Sequence, residues 1–187
     1  MAETSVGQNG AGKTTILRAV AGILPLDAGS IALSGEPLRG RARRRVGFVP
    51  EAADPPGFLT ARELVALSAA LRRAAVPPEE ERRRLYPAEL EGARIATFSL
   101  GERRRVCLAA ALVGEPALLV LDEPESRLDL AGANLLVELL GEARRRGAVV
   151  LVASHEPALR RALGCREIRL AGGRMALPDQ EAADSGG

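Results

Sequence analysis

Short apolar runs alternate along the chain with segments in which apolar residues recur at helical spacing. Three runs, Arg45–Val49, Ala117–Leu121 and Ala148–Ala153, are apolar at nearly every position, which is typical of strands buried on both faces. Two further short strands are predicted over Ser30–Leu33 and Glu167–Leu170. Buried strands separated by helices indicate an α/β protein in which helices cover both faces of a mainly parallel sheet.

The helices are marked by apolar spacing and by residues suited to cap their ends. Ser99 followed by Glu102 is a capping-box pattern that opens a helix running to about Val113. Asp129 is suited to cap the start of another helix, which Gly147 closes. The helix capped by Asp129 is predicted over Leu130–Arg146, and the other predicted helical segments are Lys13–Ala21, Arg62–Ala75, Glu79–Leu90 and Pro157–Leu163.

Composition narrows the functions that are open to the chain. Its 187 residues are 47% hydrophobic and 27% charged, which suits a folded domain with a real core. Aromatic residues make up only 2%, too few for a base-stacking platform or an aromatic membrane belt. No apolar run approaches the ~20 residues that would cross a bilayer, and the start lacks a secretion-signal pattern, so we expect a cytoplasmic protein. Cys107 and Cys165 are interpreted as reduced thiols, with a disulfide or metal pair as the alternative.

Arginine dominates the basic residues, since Lys13 is the only lysine among 26 Lys and Arg residues. Acidic residues number 24, and the formal net charge is +2. We interpret the arginine triplets as solvated helix faces, because acids are interspersed and stacking aromatics are absent; a nucleic-acid surface is the alternative. The triplets are Arg43–Arg45, Arg82–Arg84, Arg103–Arg105 and Arg144–Arg146.

Residues 7–14, with the sequence GQNGAGKT, fit the phosphate-loop pattern G-x-x-x-x-G-K-[ST]. Such a loop turns backbone N–H groups toward phosphate oxygens at the positive end of the following helix. Lys13 would reach the β- and γ-phosphates, and the Thr14 hydroxyl would bind Mg²⁺. A loop of this kind follows a strand, yet Ala2–Val6 is a poor strand candidate. The candidate nucleotide-binding residues here are Gly7, Asn9, Gly10, Ala11, Gly12, Lys13, Thr14 and Thr15.

A second acidic site follows the buried run 118–121, where Asp122 and Glu123 emerge. The carboxyl ends of parallel strands are where α/β proteins bind ligands. Asp122 is suited to hold Mg²⁺, and Glu123 to polarise the water that attacks a γ-phosphate. An acidic turn after an ordinary buried strand is the alternative, and the neighbouring phosphate loop disfavours it.

With these two motifs in place, the chain resembles the nucleotide-binding domain of ATP-binding cassette (ABC) transporters. Residues 98–102, FSLGE, resemble the LSGGQ signature, and residues 126–129, SRLD, resemble the D-loop. Residues 154–155, Ser-His, are similar to the switch histidine, and residues 49–51, Val-Pro-Glu, stand at the Q-loop position. The resemblance runs from about Val6 to Leu177, nearly the whole chain.

The resemblance implies a P-loop NTPase fold of ABC type, a mainly parallel sheet flanked by helices with an inserted α-helical subdomain. The RecA-like core would span 1–54 and 96–177, the helical subdomain 55–95, and a flexible tail 178–187. The antiparallel strands that open the family's fold, the aromatic residue that stacks on adenine and the strand leading into the phosphate loop are all expected to be missing, which suggests a truncated chain.

The resemblance also assigns roles at the site. Glu123 would be catalytic together with His155, the only histidine, which without this context is better explained as structural. Magnesium would be held by Thr14, Asp122 and Glu51. The signature of a partner domain would contact the γ-phosphate through Ser99, Gly101 and Glu102. Three residues depart from the usual pattern: Glu51 replaces glutamine, Leu100 replaces glycine, and Glu102 replaces glutamine. In the D-loop, Arg127 replaces a common glycine.

The implied function is an ATPase subunit of an ABC transporter that uses ATP and Mg²⁺. Two such domains would pair, as a homodimer, and drive a separate membrane permease, with export as the expected direction. The chain would then be cytoplasmic and attached peripherally to the inner face of the membrane, and no nucleic-acid partner is expected. The alternatives are a soluble ABC-type ATPase acting on nucleic acid or ribosomes, and a truncated, non-catalytic cassette.

Overall fold

The computed structural model describes residues 2–6 and 11–176 of the chain. Its strands are β1 Ala2–Val6, β2 Ala32–Leu33, β3 Glu36–Pro37, β4 Val46–Val49, β5 Leu118–Asp122, β6 Val149–Ala153, β7 Arg166–Ala171 and β8 Arg174–Ala176. Its α-helices are α1 Lys13–Val20, α2 Ala61–Arg72, α3 Glu79–Leu85, α4 Leu100–Leu112, α5 Leu130–Arg145 and α6 Pro157–Leu163. Short 3₁₀ helices span Gly40–Arg45, Ala88–Leu90 and Ile95–Thr97.

The main sheet has six strands in the order β4-β5-β6-β1-β7-β8. The first five of these strands are parallel to their neighbours, and β8 pairs antiparallel with β7. Every residue of β5 is buried, as its unbroken apolar run predicts. The mainly parallel sheet with helices around it confirms the predicted α/β, P-loop NTPase fold class.

Successive side chains of β5 point to opposite faces of the sheet, and each face packs against its own apolar cluster. Leu119 and Leu121 belong to the larger core cluster, which includes residues of α2, α4, α5 and α6. Leu118 and Val120 belong to the smaller cluster, with Leu17 of α1 on the opposite face. The sheet is therefore covered on both sides, and its strand ends are left as the place for polar chemistry.

The first strand corrects the sequence prediction. Ala2–Val6 is a strand, although its composition made it a poor candidate, and it leads into the phosphate loop. It lies inside the sheet, with Thr4 opposite Val152 on one side and opposite Glu167 on the other. Pairing on both sides supplies the backbone hydrogen bonds that stabilise this segment, whatever its side chains. The expectation that the chain lacks the strand before the loop is therefore wrong.

Two other strand predictions are corrected. The predicted strand Ser30–Leu33 is reduced to Ala32–Leu33, which pairs antiparallel with β3 in a separate hairpin rather than in the main sheet. Glu167–Leu170 is not the final strand, because a turn with Gly172 and Gly173 at positive φ leads into β8. Both differences come from glycine turns that close short hairpins.

The arginine triplets are only partly solvated. Arg104 is 3% exposed and donates to backbone carbonyl groups. Arg84 of α3 binds Glu138 and Glu142 of α5, and Arg144 donates to the Leu163 carbonyl oxygen. The interpretation of these triplets as solvated faces is thus wrong for Arg104, and several other triplet arginines link one element to another.

Further observations concern the thiols and the helix lengths. Cys107 and Cys165 are free thiols, and burial raises the pKa of Cys107 to about 11. Between residues 11 and 176, as in 2–6, no helix is both long and apolar enough to cross a membrane. The predicted tail over 178–187 lies outside the described residues.

Candidate functional site

A polar cleft of about 620 Å³ lies at the carboxyl ends of β4, β5 and β6. The end of each strand contributes side chains to the lining: Glu51 just after β4, Asp122 and Glu123 at the end of β5, and His155 just after β6. Parallel strands present these ends at one edge of the sheet, so residues far apart in sequence meet there. The described lining comprises Ala11, Gly12, Lys13, Thr14, Thr15, Glu51, Asp122, Glu123, Ser126 and His155.

Helix α1 begins at this cleft, and its N-terminus has no side-chain cap. Gly12 occupies the cap position with φ 92°, and the first turn contains no acidic residue. The turn between β7 and β8 packs against this backbone, because Gly173 N donates to Ala11 O at 3.1 Å. The first N–H groups of a helix have no acceptor within the helix, and together with the positive end of the helix dipole they favour an anion at this point. Gly7, Asn9 and Gly10, also predicted to bind nucleotide, lie outside the described residues.

Thr14 and Asp122 meet across the cleft. The Thr14 hydroxyl donates to Asp122 Oδ2 at 2.8 Å, and Asp122 is only 2% exposed. Glu51 lines the same cleft from the end of β4. Hydroxyl and carboxylate oxygens are hard ligands that suit Mg²⁺, which takes one or two carboxylates and completes its shell with water and phosphate. Among the described residues no group of three or more His, Cys, Asp or Glu could hold a metal ion.

Glu123, His155 and Lys13 form a second connected group in the same cleft. Lys13 Nζ lies 2.7 Å from His155 Nε2, and because an ammonium can only donate, this ring nitrogen is the acceptor. The His155 backbone N–H donates to Glu123 Oε2 at 3.3 Å, and His155 Nε2 lies 3.5 Å from Glu123 Oε1. Burial raises the pKa of Glu123 above its ordinary value, while the hydrogen bond from His155 N–H opposes that shift.

Glu123 itself sits in an unusual backbone conformation. Its φ is 45°, in the left-handed region that residues other than glycine seldom adopt. Its N–H donates to Ala153 O at 2.8 Å, which carries the β5–β6 pairing one residue beyond β5. Strained residues of this kind concentrate at functional sites, where surrounding contacts hold them.

The signature segment is not among the described lining of the cleft. Ser99 Oγ accepts from Glu102 N at 3.2 Å, and Glu102 Oε2 accepts from Ser99 N at 2.7 Å, which confirms the predicted capping box of α4. These bonds lower the pKa of Glu102. Gly101 lies tight against the D-loop, since a Cβ there would come within 2.8 Å of the Arg127 carbonyl oxygen.

Two residues near the cleft were not assigned a role from the sequence. Ser126 lines the cleft, and only its place in the D-loop pattern signals it. Arg104 holds the backbone that carries Glu51. The sequence could have indicated that Arg104 is buried, because it lies on the same face of the helix as Leu108 and Ala111, which are 4% and 3% exposed.

Comparison with known proteins agrees with this geometry. The model of the ABC transporter family matches residues 4–126, which is more than half of the chain. The chain belongs to the ABC transporter family. Its ABC fold is also found in solved structures: one described as the ATP-binding subunit of an ABC transporter has a TM-score of 0.82 at 28% identity, over 94% of this chain and 77% of that one. A dimeric ATP-binding cassette in a post-hydrolysis state, bound to ADP and Pi, has a TM-score of 0.81 at 24% identity, over 95% and 83%, and shows the shared fold alone.

Among the curated relatives of this ABC chain, some are named for export and others for import. The Nod factor export ATP-binding protein I of Paraburkholderia xenovorans (strain LB400) is 42% identical over an alignment of 160 residues, and the match covers 80% of this chain and 52% of the relative. The zinc import ATP-binding protein ZnuC of Cereibacter sphaeroides (strain ATCC 17023) is 38% identical over 154 residues, 82% of this chain and 60% of the relative. The chain thus spans about half the length of the first of these relatives and less than two thirds of the second.

Proposed function

We propose that this chain binds and hydrolyses MgATP in the cleft, as the ATP-binding part of an ABC transporter. One observation carries the proposal: a lysine at the start of α1, a Thr–Asp pair and a Glu–His pair converge on the same cleft. Lys13 and Thr14 come from the phosphate-loop motif, and Asp122 and Glu123 from a strand end over a hundred residues away. The family's motifs and the geometry therefore support the same chemistry.

The triphosphate enters at the N-terminus of α1, where Lys13 supplies a positive charge and backbone N–H groups supply donors. Thr14, Asp122 and Glu51 are the residues that would hold Mg²⁺. When bound there, Mg²⁺ neutralises part of the charge on the phosphate oxygens. Thr15 also lines the cleft and contributes to the same anion site.

Glu123 acts as the general base. Its carboxylate accepts a proton from the attacking water, and its raised pKa brings it closer to the pKa that proton transfer near neutral pH favours. The His155 N–H donates to one carboxylate oxygen, Oε2, and the other, Oε1, lies 3.5 Å from His155 Nε2. His155 and Lys13 contact one another, and the arrival of a γ-phosphate beside Lys13 would therefore be sensed at His155 and Glu123.

The signature completes the site from a second copy of the domain. Ser99, Gly101 and Glu102 do not line the cleft of their own chain, which supports a role in trans. We further propose that the core spans 1–54 and 96–177, that 55–95 is the helical subdomain, and that the domain pair drives a separate membrane permease. Export is the proposed direction, because relatives at 42% and 41% identity are named for export.

The test is ATP turnover by Glu123→Gln. We expect phosphate release to fall by roughly a hundredfold or more, because a general base contributes about 10²–10⁴ to the rate, while MgATP affinity stays within about twofold of wild type. Glu115→Gln is the matched control, because it makes the same chemical change at an exposed residue that pairs with Arg146 away from the cleft. Unchanged turnover in Glu123→Gln would contradict the role of Glu123 as the general base, and no turnover by the wild-type chain would support a non-catalytic cassette.

The transport role has its own test. Coexpression with a polytopic membrane protein encoded beside this chain should give a complex whose ATP turnover exceeds that of the chain alone. Stimulation by DNA, RNA or ribosomes instead would favour the soluble ABC-type ATPase. Transport into inverted vesicles would then indicate export, and transport out of them would indicate import.

A further inference from the structure

Arg104 is a charged residue in the apolar interior, one turn into α4. It is 3% exposed, and its guanidinium donates Nη1 to Pro50 O at 2.6 Å and Nη2 to Glu51 O. Pro50 and Glu51 directly follow β4, and Glu51 lines the cleft. A side chain on the signature helix therefore holds the backbone of a residue that lines the cleft.

The charge of Arg104 lies among carboxylates. Burial lowers the pKa of Arg104, and the charges of Glu125, Glu51 and Asp122 oppose that shift. Glu125 accepts a hydrogen bond from Ser154 through Oε1, and its Oε2 is buried without a hydrogen-bond partner in the described structure. A buried cation is costly unless nearby negative charge offsets it, and the same cation stabilises those carboxylates.

The neighbouring arginines do not share this position. Arg103 pairs with Asp54 at 3.2 Å and Arg105 with Asp129 of the D-loop at 2.7 Å, and both are partly exposed. These contacts tie α4 to two loops, but neither reaches a residue of the cleft lining. Arg104 alone in this triplet hydrogen-bonds within the described residues to the backbone of a lining residue.

We propose that Arg104 is a positioning residue: it anchors Pro50–Glu51 to the signature helix, and its buried positive charge offsets the carboxylate that this chain carries at position 51. The proposal rests on the proposed function, since the cleft must admit a polyanion. A carboxylate at 51 adds negative charge beside the phosphates, where the family more often has glutamine. Removing the charge of Arg104 should therefore matter more when residue 51 is glutamate than when it is glutamine.

Arg72 is a matched control for this proposal. Its Nη1 donates to two backbone carbonyl oxygens, Ala111 O at 2.7 Å and Val113 O at 2.9 Å. Burial lowers its pKa as well. It thus makes the same kind of bond, at the far end of α4 from the signature, and contacts no residue of the cleft lining.

The experiment is a double-mutant cycle read by calorimetric MgATP binding to the full chain. We expect Arg104→Gln to weaken binding about tenfold in the wild-type background but less than about threefold with Glu51→Gln, since coupled residues are not additive. Arg104→Lys keeps the charge and should stay within about threefold of wild type. Equal losses from Arg104→Gln in both backgrounds, or an equal loss from Arg72→Gln, would overturn the charge offset.

Amide hydrogen exchange without nucleotide tests the anchor separately. Arg104→Gln and Arg104→Lys should both speed exchange at residues 51–54, whereas Arg72→Gln should not. Unchanged exchange in either Arg104 variant overturns the anchor. If the wild-type chain binds no nucleotide, the proposed function is contradicted. The exchange data alone then test whether Arg104 anchors Pro50–Glu51. If Arg104→Gln does not fold, Arg104→Lys decides the anchor.

Discussion

Helices α1 and α4 both begin at segments that we predict to contact phosphate, but only one of the two N-termini has a side-chain cap. Helix α1 begins at Gly12 without a side-chain cap and without an acid in its first turn. Helix α4 begins at Ser99 with a complete capping box, in which Ser99 and Glu102 satisfy each other. The uncapped end lies in the cleft, and the capped end does not line it. An open helix end beside a lysine suits an anion within one chain, whereas the signature end is already stabilised by its own capping box, and the proposed function assigns its ligand to a second chain.

Lys13 gives the largest expected difference between the two ends. Lys13→Met should weaken MgATP binding by roughly 10–100-fold, because a hydrogen bond to a charged group contributes about 1.5–3 kcal/mol. Arg18→Met is the control, since it removes a positive charge from the exposed last turn of the same helix. Calorimetric titration measures both, and similar affinities for the two variants would show that the open end of α1 does not bind the triphosphate.

Local patterns explain what the sequence predicted well. The Ser99–Glu102 box, the Asp129 cap and the fully buried β5 each depend on residues a few positions apart, and the structure contains all of them. The convergence of Thr14 and Asp122 was also predictable, although they lie 108 positions apart, because phosphate loops and strand ends meet at one edge of a parallel sheet. Their catalytic and binding roles stay predictions.

Long-range partners explain what the sequence predicted badly. The strand Ala2–Val6 exists through pairing with β6 and β7, whose residues lie some 150 positions away, and its own composition gives little sign of it. Arg104 looked like part of a solvated run, yet its carbonyl acceptors lie on a loop 53 and 54 residues earlier. Tertiary contacts overrode local propensity in both cases.

Ser99→Ala sharpens the contrast at the capped end. Thr60 and Glu63 form the same capping box on α2, so Thr60→Ala is a matched control for loss of a cap. Each substitution should lower the free energy of unfolding by about 1 kcal/mol, measured by urea denaturation. Only Ser99→Ala should also reduce ATP turnover, by roughly tenfold, because one donor to the γ-phosphate is lost. Equal turnover in both variants would show that Ser99 only caps α4 and has no role in ATP turnover.

The smallest expected effect is the pH dependence of stability at Glu123. Its pKa is raised above the ordinary value of 4.5, chiefly by burial, so the folded chain prefers the protonated form. Wild type should therefore lose stability relative to Glu123→Gln as pH rises from 4.5 through the raised pKa, and the difference between them should not change with pH below 4.5. Parallel urea denaturation curves across pH measure this, and a gain in relative stability with rising pH would contradict it.

Hydrogen exchange at the two helix starts tests the central contrast most directly. The Glu123→Gln chain is saturated with MgATP over a range of protein concentrations, and exchange is followed at residues 13–16 and 100–103. We expect 13–16 to be protected at every concentration, and 100–103 to gain protection only where the chain pairs with a second copy. Protection of 100–103 at the lowest concentration, or none at 13–16, would contradict the assignment of the cleft to one chain and of the signature to its partner.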